Sequence, residues 1–72
     1  METEIHVLDV VALLADRPAE GLRRGQVGTV VERLPPDSFE LEFSDLEGRA
    51  YAFATCRADE LLVLHQEPEP AR

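Results

Sequence analysis

Leu22-Arg23-Arg24-Gly25-Gln26-Val27-Gly28-Thr29-Val30-Val31 is the stretch that decides how this chain reads. Two glycines three residues apart stand where a polar segment gives way to β-branched residues. Glycine accepts a positive φ in a turn and also lets a neighbouring backbone or ring come close. Gly25 therefore reads as the turn, and Gly28 as a close-packing position in a bent strand. The strand runs Val27 to Leu34, with apolar residues on both faces, until Pro35-Pro36-Asp37 stops it.

Upstream, Ala15 to Gln26 holds Asp16, Pro18, Gly21 and Gly25, breakers too close together for a helix, so it is expected as a long irregular loop with a single turn. Asp9 to Leu14 precedes it as a first strand. Downstream, Ser38 to Ser44 places Phe39, Leu41 and Phe43 on one face and Glu40 and Glu42 on the other, the period of a half-buried antiparallel strand. Asp45-Leu46-Glu47-Gly48 has hairpin length. Arg49 to Arg57 returns, with Tyr51, Phe53 and Thr55 alternating against Ala50, Ala52 and Ala54. With so few aromatic residues, Tyr51 and Phe53 are expected in the core rather than as a platform for stacked bases. Ala58-Asp59-Glu60 makes one helical turn, and Leu61 to Leu64 a last short strand.

The expected fold class is all-β: a small five-stranded SH3-like barrel over residues 5–65, with a long first loop and a short helical turn before the last strand. Residues 1–4 form an N-terminal extension, and 66–72 an acidic, proline-rich tail expected to be disordered. An oligonucleotide-binding-type barrel competes, but it usually needs a longer chain.

Seventy-two residues allow one domain, and 15 acidic against seven basic residues give a net charge of −8. All seven basic residues are arginines. A surface this negative repels bare nucleic acid, whose binding rests on neutralised phosphates. The one cysteine, Cys56, leaves no intramolecular disulfide and suits a reducing cytoplasm. Met1-Glu2-Thr3-Glu4 is acidic where a secretory signal is basic, and no apolar run is long enough to span a bilayer. The expectation is a cytoplasmic protein that does not enter a membrane.

Candidate chemistry is sparse. Gly25 and Gly28 beside Arg23 and Arg24 could cradle an anion on backbone amides, against the plainer reading of both glycines as architecture. Asp9 interrupts an apolar run and needs hydrogen-bond donors; a general-base role would need a partner and a pocket that the sequence does not supply. His6 and His65 lie at the ends of the barrel strands, either as a metal pair or as two solvated histidines. Cys56 beside Arg57 is either an activated thiolate or a small buried side chain. Neither a nucleophile with its base, a metal-ligand spacing nor a phosphate loop is present, so no cofactor, no metal and no enzymatic activity are expected.

The chain resembles a family of small bacterial proteins of the DUF4926 type, a domain of unknown function. The matching residues are Leu8-Asp9-Val10-Val11-Ala12-Leu13, then Gly21-Leu22-Arg23-Arg24-Gly25-Gln26-Val27-Gly28-Thr29-Val30-Val31, with Phe39-Glu40-Leu41-Glu42-Phe43 and Asp59-Glu60-Leu61 further on. The resemblance covers about residues 5–64 and implies no activity or catalytic residue. More distantly, the turn glycine before Gly-Thr-Val is similar to SH3-like modules of ribosomal and transcription-elongation proteins and of the nitrile hydratase small-subunit type. That similarity concerns the fold alone.

The function expected is a non-catalytic, acidic protein–protein interaction module for a partner with a basic surface, of an antitoxin, immunity or accessory type. Its candidate binding residues are the acids Glu32, Glu40, Glu42, Asp45 and Glu47 around one hairpin, and Arg17, Arg23 and Arg24 on the long loop. The alternative is an RNA- or ribosome-associated module using Arg17, Arg23, Arg24 and Arg49. Pairing through an open barrel edge leaves a homodimer as an option.

Overall fold

The computed structural model describes residues 4–65. The tail expected over 66–72 and the first three residues of the extension lie outside the described residues. Five strands form one open antiparallel sheet: β1 (Val10–Leu13), β2 (Val27–Leu34), β3 (Ser38–Ser44), β4 (Ala50–Arg57) and β5 (Leu61–Val63), in the spatial order β4-β3-β2-β1-β5. One 3₁₀ turn lies in the first loop (Pro18–Glu20) and another precedes β5 (Ala58–Glu60). This is the all-β, barrel-like architecture expected from the sequence, with β2 and β3 bounded as predicted.

One strand supplies the bulk of the core. Phe39, Leu41 and Phe43 of β3 all point inward and are buried. Their cross-strand neighbours on β4 are Cys56, Ala54 and Ala52, all small. On the other side Val30 is paired with Leu41, and β1 adds Val11 and Leu13. Leu22 from the first loop, Leu61 from β5 and Ile5 from the N-terminal segment fill the ends.

Phe43 decides how closely β2 and β3 fit. A Cβ at Gly28 would lie 2.9 Å from Cε2 of the Phe43 ring and 3.1 Å from the Glu42 carbonyl oxygen, so only a residue without a side chain leaves room. Gly25 has φ +92° and forms the turn before β2. Both glycines therefore serve the architecture.

The same crowding overturns the expectation that Tyr51 and Phe53 belong to the core. Tyr51 is 52 % and Phe53 54 % exposed, while Ala54 and Cys56 are buried. Facing three large β3 side chains, the inner positions of β4 must be small, and the aromatics take the opposite phase. Tyr51 is also the extra residue of a bulge, since Phe43 pairs with Ala52 and Ser44 with Ala50. Its ring still touches the core margin, with its centroid 6.5 Å from that of Phe43. Gln26 Nε2 donates to its hydroxyl at 3.1 Å.

Gly28→Ala is expected to cost about 2 kcal/mol, because the buried Phe43 ring and a sheet carbonyl must both give way. Gly25→Ala acts differently, through its positive φ alone. Urea unfolding checks this: if shortening Phe43 costs as much stability in the Gly28→Ala background as it does in the wild type, the contact is mis-assigned.

Candidate functional site

Arg17 is the most heavily bonded side chain of the first loop. Its Nε and Nη2 donate to Glu20 at 3.2 and 3.1 Å, its Nη1 to Glu60 at 3.3 Å, and its Nη2 also to the Thr55 carbonyl at 2.9 Å. The loop folds back to permit this: Arg17 and Leu22 exchange both backbone hydrogen bonds around the Pro18–Glu20 turn, which Gly21 closes at φ +72°. Glu60 in turn accepts from the Arg57 amide at 2.7 Å and caps the second 3₁₀ turn. Arg17 thus ties the loop, that turn and the outer edge of β4 together. The Glu20 hydrogen bond raises the pKa of the guanidinium and lowers that of the Glu20 carboxyl. Cys56, next to Thr55, is buried, and burial pushes its thiol up despite the nearby Arg17 charge. It is the small buried cysteine rather than an activated thiolate.

The anion cradle at the loop is already filled from within. The Arg23 amide donates to Gln26 Oε1 at 2.6 Å, the Arg24 amide to Asp16 Oδ1 at 2.8 Å, and the Gly25 amide to the Leu13 carbonyl at 2.8 Å. No converging set of amides remains for a phosphate. The Arg23 and Arg24 side chains are exposed and make no ion pair among the described residues.

The acids divide into two groups. Asp45 and Glu47 sit in the β3–β4 turn. Asp45 accepts from the Glu47 and Arg49 amides at 2.9 and 3.0 Å, and Arg49 closes ion pairs with both carboxylates. The Arg49 amide bond is the chief reason the Asp45 pKa lies below its ordinary value. Glu32, Glu40 and Glu42 instead share the outer face of the sheet. Glu32 pairs with Glu40, and Glu42 lies between Thr29 and Phe53 across the strands. Thr55 Oγ1 donates to Glu40 at 2.8 Å, which fixes Thr55, and with it Phe53 two residues earlier, on the same face. Two carboxylates of β3 thus stand on one side of an exposed phenyl ring, Glu42 across from it and Glu40 in the next pair on that face. The sequence reading singled out these acids but placed Phe53 in the core. The available signal was the run of alanines in β4, which identified the small face without showing that it turned inward.

Asp9 accepts from the His6 amide at 2.9 Å, and His6 faces Glu4 and Asp9 at 3.6 and 3.8 Å. Asp9 therefore serves the turn before β1. A cleft of about 250 Å³ at His6, lined also by Ile5, Pro36 and Phe39, carries charges of both signs in Arg33, Glu4 and Asp37. Among the described residues no three His, Cys, Asp or Glu side chains come together to hold a metal. No helix among them is long and apolar enough to cross a membrane.

Arg17→Ala is expected to lower stability by about 2 kcal/mol, since it strands Glu20 and Glu60 and uncovers the Thr55 carbonyl. The lowered Glu20 and Asp45 carboxyls set the acid limb. Their contribution is complete above the ordinary carboxyl values of 4.5 and 3.8 and is lost as pH falls through the depressed ones. Melting temperature should hold between pH 7 and 5 and fall below 4.5. Arg17→Ala should make that fall shallower; an unchanged acid limb would refute the pairing. Cys56 should resist a thiol reagent at pH 8 in the native protein and react fully in denaturant.

Compared with known proteins, residues 7–63 match the model of a family described as Domain of unknown function (DUF4926). Searches of curated proteins and of solved structures find no match.

Proposed function

The chain belongs to the DUF4926 family, and we propose that it acts as a non-catalytic module that binds a partner protein through the outer face of β2, β3 and β4. The observation that carries this is Phe53, half exposed on the solvent side of a regular strand, with Glu42 directly across from it and Glu40 beside Thr55. An exposed ring next to uncompensated carboxylates suits a cationic side chain, which can stack on the ring while pairing with the acids. Aromatic residues are also those around which binding energy concentrates at protein interfaces.

The partner that fits is a protein with a basic surface. A net charge of −8 on 72 residues would speed its approach, and Glu32, Glu40 and Glu42 would select for it. An antitoxin- or immunity-type role, with the acidic face covering a basic active cleft, is the sharper form of this reading. RNA association has less support, because Arg17 and Arg49 are neutralised by internal ion pairs and only Arg23 and Arg24 of its four arginines remain outside them.

Tagged protein and variants, exposed to extract of the source cells, test the reading. A basic protein should copurify with the wild type, be lost with Phe53→Ser or with Glu40→Gln/Glu42→Gln, and persist with Arg23→Ala/Arg24→Ala. Loss with the arginine pair alone would move the binding surface to the loop. Retention of RNA at low salt, abolished by the same pair, would replace the reading with the nucleic-acid one.

A further inference from the structure

The turn leading into β1 carries an unusual residue. Asp9 N donates to the His6 carbonyl at 3.0 Å and closes a four-residue turn whose third member, Leu8, has φ +80°. That is the position where type II turns place glycine. A branched residue there is strained, and the turn persists because it is over-determined. The Leu8 amide donates to the Val30 carbonyl at 2.7 Å, and the Asp9 carboxylate accepts from the His6 amide at 2.9 Å. The strained side chain gains nothing from packing, since Leu8 is 74 % exposed.

Its neighbours are also irregular. The β1–β2 register pairs Val10 with Thr29, and beyond it Leu8 and Asp9 both bond to the backbone of Val30, which brings the turn against β2 next to Val31. Val31 is the extra residue of the second bulge, between the Val30–Leu41 and Glu32–Glu40 pairs, and it is exposed, as is Val7. Strain and a bulge together put three apolar side chains at the rim of the acidic strip. On the far side of Glu32, Glu40 and Glu42 stands Phe53, with β1 and β4 separated by about 14 Å across three strand spacings.

We propose that Leu8, with Val7 and Val31, is a second apolar anchor of the docking face, and that the partner element is amphipathic and basic, its cations over Glu32, Glu40 and Glu42 and its apolar side chains on Leu8 and Phe53. This rests on the outer-face reading above. Charge selects the occupant: the acids between the two anchors have no cation among the described residues to neutralise them, and a second copy of a chain at −8 would bring the same sign.

The probes are a 14-residue amphipathic Leu/Lys peptide and polylysine of matched charge, titrated calorimetrically against the full chain. Leu8→Asn is the main variant, because asparagine tolerates the left-handed region. Its melting temperature should equal or exceed that of the wild type, while its affinity for the Leu/Lys peptide should fall about fivefold and its polylysine binding should not change. Unchanged peptide affinity, or a melting temperature lowered by several degrees, would overturn the proposal by making Leu8 a bystander or a packing residue. If Glu40→Gln/Glu42→Gln and Phe53→Ser weaken peptide binding but Leu8→Asn does not, only the anchor fails; if none does, the outer-face reading fails with it. A wild-type dimer in sedimentation that Leu8→Asn dissociates would assign the patch to a second copy and also overturn the proposal.

Discussion

The contact between the Phe43 ring and the bare backbone of Gly28 is the constraint from which the other features follow. A domain of this size has few side chains with which to fill a core, and here one strand provides three of the largest. With Phe39, Leu41 and Phe43 inward, the neighbouring strands have to give space: β2 through Gly28, and β4 through Ala52, Ala54 and Cys56. The aromatic residues of β4 are thereby turned to the margin and the exterior. The exposed Phe53 is thus a consequence of how the interior is filled, and the acids that alternate with the β3 aromatics necessarily share its face.

The open sheet leaves β4 as an edge of eight residues, whereas the opposite edge, β5, has only three. A long edge invites pairing with other chains. Two devices shorten it: the bulge at Tyr51 near one end and the Arg17 guanidinium on the Thr55 carbonyl near the other. Arg17 is thereby withdrawn from the surface it was expected to serve and becomes the link between the first loop and the turn before β5. Arg49, held by Asp45 and Glu47, has a comparable local role. Once these pairs are made, Glu32, Glu40 and Glu42 are left without an arginine partner on the outer face of β2 and β3, while Arg23 and Arg24 stay on the loop.

Much of this was legible in the sequence because it depends on local rules. Alternation fixed β3, the Pro35-Pro36 stop fixed the end of β2, and glycine spacing assigned the roles of Gly25 and Gly28. The phase of β4 was not legible. Both of its faces were plausible interiors on composition, and the choice is made by volume on a different strand. The Arg17–Glu60 pair joins residues 43 apart, so no local pattern announces it. Leu8 was hidden for a further reason: the sequence gives no sign that a leucine holds a conformation suited to glycine, and only the hydrogen bonds around it reveal this.

The dependence of the whole arrangement on Gly28 and Phe43 can be measured by a double-mutant cycle, with Gly28→Ala, Phe43→Leu and their combination unfolded in urea. If the ring occupies the space a Cβ would need, the smaller side chain should relieve the glycine substitution, leaving a coupling of about 1 kcal/mol or more. Strictly additive losses would mean that the two residues act independently and that the outward phase of β4 has another cause.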